Sequence, residues 1–148
     1  MKGGMLMMMR HNVFLKYLLL FFFGGFCYGA IEIISRGFSH ISMFVAGGLC
    51  FIGIGLINEI FPKDLALTSQ MLLSAAIVTV IELITGLIVN VWLGLGVWDY
   101  SAQPYNLYGQ ICLLFSLLWF FLSLPAILLD DYLRYHIFGE EKPKYKIL

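Results

Sequence analysis

Apolar residues along this chain fall into four long runs separated by short polar breaks. Each run is long enough to cross a bilayer, which takes about 20 mostly apolar residues in helical form. The runs predict helices from Val13 to Ile34, Ile41 to Ile60, Leu67 to Leu93 and Leu107 to Leu129, followed by a polar tail over residues 130–148. The breaks, "SRGFSH", "FPKDLA" and "VWDYSAQPYN", are too short to fold by themselves. The predicted fold class is therefore all-α: one domain, a polytopic integral membrane bundle of four helices. Basic residues precede the first run as they would a secretory signal. The residues after its core, "GGFCYGAIE", offer no small-x-small cleavage site, so the run reads as a span.

Two runs break their own pattern with an acid. "SAAIVTVIELITGLIVN" carries Glu82 at its middle, and "GGFCYGAIEIISRG" carries Glu32. Helical spacing puts Ala75, Thr79, Glu82, Gly86 and Asn90 on one face of the third helix. On the first, Gly25, Gly29, Glu32 and Arg36 share a face, with Gly25 and Gly29 forming a GxxxG pair that lets backbones approach. The two stripes are expected to face each other. A charged group at mid-helix costs about 2.5–3.5 kcal/mol even on the milder insertion scales, so Glu82 is expected to point into the bundle. Three arrangements lower that cost: protonation, pairing with Arg36, or hydrogen bonds from Thr79, Thr85 or Asn90.

The likeness of the two acid-bearing stretches suggests a duplicated helical hairpin. Residues 31–35 lie over 81–85, and "GGLC" (47–50) resembles "GQIC" (109–112), with extra outer loop in the second half. Helices one and three run in the same direction, so this would be a parallel repeat. Chance likeness between greasy segments is the alternative.

Composition agrees with a membrane protein, with 61% hydrophobic and only 12% charged residues. The net charge of zero hides an asymmetry: Lys2, Arg10, Lys16, Lys63, Arg134, Lys142, Lys144 and Lys146 fall on one side of the predicted spans, and only Arg36 on the other. By the positive-inside rule both termini are expected in the cytoplasm, in a multi-pass protein of the cell (plasma) membrane. No nucleic-acid surface is evident.

The outer loop is the other polar concentration. Asp99, Ser101, Gln103, Asn106 and Gln110 lie among Trp98, Tyr100, Tyr105 and Tyr108, with Pro104 fixing a turn and Asn106 expected to cap helix four. An interfacial aromatic belt accounts for the tyrosines. Asp99 is the exception, and the loop is expected to line the mouth of a polar cavity above the two acids. Little else carries chemistry. His11, His40 and His136 have no HExxH spacing, and Cys27, Cys50 and Cys112 form no CxxC, so neither a metal nor another cofactor is expected. No Walker motif is present, which excludes ATP hydrolysis by that route. Asp130 and Arg134 form an i,i+4 pair expected on a solvated helix end, where Asp130 and Asp131 lack the second acidic cluster of a diacid metal site.

The segments "YGAIEIISR", "ELITGLIVNVWLGLGVWDYSAQPYNLYGQICLLFSLLWF" and "LLDDYLRYHIFGEEKPKYKIL" resemble a family of small bacterial membrane proteins, the putative ABC transporter permeases of type IV. The resemblance runs from about Tyr28 to Tyr145. Its most specific part is the WDYS…P-x-N-x-x-G-Q-I core. It implies that Glu32, Glu82, Gly86, Asn90, Trp98, Asp99, Tyr100, Ser101, Pro104, Asn106, Gly109 and Gln110 are the recurring positions. It also implies a transport-associated subunit. With four helices and one short inner loop, such a subunit needs the lipid bilayer, a homo-oligomer or larger membrane complex, and a separate ATPase as partners. The polar pathway would comprise Glu32, Arg36, Glu82, Asn90, Asp99, Asn106 and Gln110. The alternatives are a regulatory or scaffolding membrane protein, a lipid-processing enzyme using Glu32 or Glu82 as acid and base, and a small pore.

Overall fold

The structure, a computed structural model, describes residues 12–61 and 65–148 together with Gly4 and Met7. Lys2, Arg10, His11, Lys63 and the middle of "FPKDLA" lie outside the described residues. Four helices dominate: α1 (Val13–Arg36), α2 (Ile41–Ile60), α3 (Leu67–Gly86) and α4 (Leu113–His136). A wider π turn, Leu87–Trp92, continues α3. All four are long and apolar enough to cross a membrane, and the chain is an all-helical, membrane-spanning protein. Between α3 and α4 lies a small antiparallel ladder, β1 (Asn106–Leu107) with β2 (Ile111–Cys112), in which Asn106 faces Cys112.

The helix ends follow local chemistry. Asn12 caps α1 by accepting from the Leu15 N–H at 3.1 Å, and Gly37 closes it in the left-handed conformation at φ 82°. His40 begins α2 by accepting from the Ser42 N–H. Ala66 has no side chain to offer α3, and the C-terminal tail supplies the missing acceptors. The Lys146 carbonyl takes the Leu67 N–H at 2.6 Å and the Ile147 carbonyl takes the Thr68 hydroxyl at 3.1 Å.

Helix four differs at both ends from its expected 107–129 range. It starts at Leu113 because Leu107 and Ile111 are paired in the ladder, and the turn between them holds Tyr108 and Gly109 at positive φ (53° and 68°). That is a type I′ turn, closed by the Gln110 N–H to the Leu107 carbonyl at 3.0 Å. The helix runs on to His136, so the tail proper begins at Ile137 and not at residue 130.

Packing is uneven. Helix α2 touches all three others, α3 packs on α4, and α1 lies mainly along α2. The α1–α2 contact is set by small residues. A Cβ on Gly24 would strike Phe51, one on Gly47 would strike Tyr28, and one on Gly25 would lie 2.8 Å from Phe44. Gly29, half of the expected GxxxG pair, touches no helix backbone and has only the Ser39 hydroxyl at 3.8 Å. One apolar cluster joins α2, α3 and α4 through Cys50, Ile54, Met71, Val78 and Ile127, and a second joins α1, α2 and the tail through Leu20, Phe51 and Phe138. As for the proposed repeat, residues 47–50 lie within α2 whereas 109–112 lie in the ladder and its turn, so these two segments hold different conformations.

The bundle has two chemically distinct ends. At one, Arg36 donates to the Val97 carbonyl at 3.2 Å and the 93–112 loop folds over the helices. At the other, Lys16, Glu59, Arg134 and Glu140 converge under the tail.

Candidate functional site

The loop end is built from Asn90 upward. The π turn places the Asn90 side chain so that its amide donates to Gln110 Oε1 at 2.8 Å and its carbonyl accepts from the Val97 N–H at 2.7 Å. Gln110, itself buried, also donates to the Tyr108 carbonyl at 2.9 Å. Trp98 is only 6% exposed and donates its indole N–H to the Gln110 carbonyl at 3.0 Å, so it anchors the loop and is no part of an interfacial belt. Beneath this contact Gly86 leaves room that no side chain could share: a Cβ there would lie 2.6 Å from Gln110 Oε1 and 3.0 Å from the Trp98 ring.

The outer residues shape the loop. Asp99 is exposed and accepts from the Ser101 N–H at 2.8 Å and from the Ser101 hydroxyl. Those two hydrogen bonds hold its carboxyl below the usual range. Asp99 therefore makes a local turn. Asn106 donates to the Gln103 and Ser101 carbonyls at 2.8 and 3.3 Å and accepts from the Gly109 N–H at 3.0 Å. It staples the loop and does not cap α4, whose N-cap is Cys112. Pro104 is exposed at the loop's tip, with Gly109 folded beneath, where a Cβ would meet the Ser101 hydroxyl and the Asp99 carboxylate.

Tyr100 turns inward from the loop and is half-buried. Its ring stacks on Phe115 at 4.6 Å, and its hydroxyl donates to Glu82 Oε1 at 3.1 Å. Burial first, and then the charge of Glu82, raise the Tyr100 hydroxyl well above its ordinary pKa, which keeps it a neutral donor. The other oxygen, Glu82 Oε2, accepts from the Trp119 indole of α4 at 3.0 Å. Glu82 is 5% exposed, as expected, but its partners are Tyr100 and Trp119. None of the three expected donors reaches it: Thr79 donates to Ser116 on α4, Asn90 serves the loop, and Thr85 makes no hydrogen bond to it.

Arg36 does not reach Glu82 either. It pairs with Glu32, one turn earlier on the same helix, at 2.9 Å. Among the described residues no hydrogen bond or ion pair joins the stripes on α1 and α3. The α3 stripe turns toward α4 and the loop, while Arg36 links α1 to the loop through Val97. Helix α1 packs mainly on α2, and α3 packs mainly on α4 and α2.

Sequence reasoning missed a second polar cluster, at the tail end. Asp130 (1% exposed), Asp131 and Arg134 (3% exposed) are buried, contrary to the solvated helix end expected there. Arg134 Nε donates to Asp130 Oδ2 at 2.7 Å, and its Nη1 donates to Glu59, which Lys16 also meets at 3.1 Å. Asp131 accepts from Asn58 at 2.9 Å and from the Tyr145 hydroxyl at 2.8 Å, a donor that burial and the Asp131 hydrogen bond keep protonated. Gly55 makes the site possible, since a Cβ would lie 2.5 Å from Arg134 Nη2 and 2.6 Å from Asp130 Oδ2. The signal was present in helix four: Ser116, Trp119, Ser123, Asp130 and Arg134 recur at helical spacing and mark one polar face running from Glu82 to this cluster.

Among the described residues no group of three or more His, Cys, Asp or Glu converges as metal ligands. His40 caps α2, and His136 packs against the Tyr132 and Tyr135 rings at 4.3 and 4.8 Å.

The Gly86 contact yields a prediction. Gly86→Val should push Gln110 and Trp98 outward, break the Asn90–Gln110 bond and cost about 1–3 kcal/mol by overpacking. Limited proteolysis in mild detergent should then cut between Tyr100 and Tyr108 faster than in the parent chain. Equal cleavage rates would mean that the loop is not seated on α3 through this contact.

No curated protein matches the chain, and no solved structure does. A family model described as putative ABC-transporter type IV matches residues 17–143, from the tail-end cluster through the loop and back, and the chain belongs to that family.

Proposed function

We propose that this protein is a transport-associated membrane subunit whose polar site is Glu82, held between the outer loop and α4, and that it works with a separate ATPase. The observation that carries the reading is the sharing of one buried carboxylate by Tyr100 from the loop and Trp119 from α4. A movement of the loop is thereby tied to a movement inside the bundle. Glu32 and Arg36 extend the polar path, since Arg36 meets both Glu32 and the loop carbonyl of Val97. Membership of an ABC-transporter family supports the same reading, and the sequence carries no Walker motif of its own.

In this reading the tail end faces the cytoplasm. Lys16, Arg134, Lys142, Lys144 and Lys146 gather there, and Arg36 alone of the described basic side chains stands at the loop end. The protein acts in the plasma membrane within a homo-oligomer or a larger complex. Helix α1 is fastened mainly to α2 and shows Phe14, Phe22, Phe26 and Ile34 outward, leaving a broad face for lipid or a neighbouring subunit.

The test is purification of the C-terminally tagged protein from its host in mild detergent, with mass spectrometry of what accompanies it. A stoichiometric ATPase supports the reading, and its activity should then respond to the membrane subunit. Emergence alone or as a bare homo-oligomer overturns the transport role and leaves Glu82 as the centre of a self-contained site.

A further inference from the structure

Residues 139–148 cross the tail end of the bundle without helix or strand, as a strap held at three places. Glu140 meets Lys16 and Arg134, the Tyr145 hydroxyl donates to Asp131 at 2.8 Å, and the Lys146 carbonyl accepts from the Leu67 N–H at 2.6 Å. The last contact fixes the depth of the strap. Leu67 opens a membrane-spanning helix, so Lys146 sits where the apolar span gives way to lipid headgroups. Tyr132 and Tyr135, exposed on the last turns of α4, mark the same end as interfacial aromatics do. Between its pins the strap bridges a polar cavity of about 980 Å³, with Asn58, Glu59 and Gln70 on the opposite wall.

Charge is spread unevenly here. Glu59 and Glu140 are engaged by Lys16 and Arg134, and Asp131 by Asn58 and Tyr145. Lys142, Lys144 and Lys146 are exposed and make no ion pair or side-chain hydrogen bond among the described residues. They recur at every second position, the spacing that puts side chains on one side of an extended chain, and Tyr145 between them turns inward to Asp131. Ile147 and Leu148 follow at 70% and 85% exposure.

We propose that the strap is a lipid-docking surface, in which Lys142, Lys144 and Lys146 engage the anionic headgroups of the membrane while Ile147 and Leu148 enter its apolar edge. An anionic leaflet attracts basic residues held within a Debye length, about 8 Å at physiological salt. Lysines without an internal counter-charge give up no partner by meeting it. A basic patch and an apolar group together hold a segment at an interface where either alone is marginal. An acidic protein would satisfy the lysines as well. The backbone contact to Leu67, which sets them beside lipid before any partner arrives, favours the bilayer. This docking needs neither an ATPase nor a cargo, so it goes beyond the transport reading and is tested apart from it.

The test is hydrogen–deuterium exchange of the purified full chain in nanodiscs of phosphatidylcholine alone or of equal parts phosphatidylcholine and phosphatidylglycerol. Residues 139–148 should exchange about tenfold more slowly in the anionic discs, within reach of the roughly fivefold that each lysine contributes at such a surface. The difference should vanish at about 1 M salt, where the Debye length falls to about 3 Å. Replacing Lys142, Lys144 and Lys146 together by Gln should make exchange equal in the two discs while α2 and α4 stay as protected as in the parent chain. Replacing all three by Arg keeps the charge and should keep the difference. Equal exchange of the parent chain in both discs overturns the proposal, as does a lipid difference that survives the Gln variant or is lost in the Arg variant. Slowing that appears only when a copurified protein is added, in neutral discs as well, would give the lysines to an acidic protein surface and overturns it equally.

Discussion

Arg134→Met is expected to destabilise the protein by about 3–5 kcal/mol, the usual cost of removing one partner from a buried ion pair. Asp130 would then stand almost fully buried with its charge uncompensated, beside Asp131 and opposite Glu59 and Glu140. Lysine is a poor replacement. Arg134 reaches Asp130 through Nε and Glu59 through Nη1, a fork that a single ammonium does not reproduce. Thermal unfolding in mild detergent measures the effect. Adding Asp130→Asn to Arg134→Met should recover a good part of the loss, because both charges are then gone. A single variant that melts at the parent temperature would show that the cluster contributes nothing to folding. The consequence reaches beyond the cluster, since Lys16, Glu59, Arg134 and Glu140 tie the start of α1, the end of α2, the end of α4 and the tail into one unit.

The second large effect is expected at Glu82, where two substitutions separate fold from function. Glu82→Ala leaves the Trp119 indole and the Tyr100 hydroxyl without an acceptor, at about 1–3 kcal/mol for each buried group left unpaired. Glu82→Gln keeps the shape and one carbonyl oxygen for Trp119. Its amide can donate to the Tyr100 oxygen, because a hydroxyl accepts as well as donates. Glu82→Gln should therefore fold and melt close to the parent chain while abolishing stimulation of the copurified ATPase. Full activity in this variant would reduce Glu82 to a structural tie between the loop and α4. Trp119 fluorescence checks the geometry independently, since the indole environment should change in Glu82→Ala and hold in Glu82→Gln.

The four spans were legible because a helix in lipid satisfies its backbone internally and needs only a long apolar run. The burial of Glu82 was legible for the same reason, since a charge at mid-helix must turn inward. Its partners were not. Tyr100 looked like a belt residue and Trp119 like one more large apolar residue in "FSLLWF", and nothing local shows that a loop side chain stacks down onto Phe115. The boundary of helix four failed for a comparable reason. An apolar run does not reveal that Leu107 and Ile111 face each other across a turn with two residues at positive φ.

The sequence by itself determined the class of the protein, its four membrane-crossing segments, its family and the presence of buried acids, because these follow from hydropathy, period and motif within single segments. Only the tertiary structure decided which groups meet. It paired Glu32 with Arg36, gave Glu82 to Tyr100 and Trp119, and sank Asp130 and Arg134 against Gly55 where a solvated helix end was expected. The reason is geometric. Which helix occupies the centre depends on how closely backbones approach, and here Gly24, Gly25, Gly47 and Gly55 let α2 take that place between α1 and the α3–α4 pair.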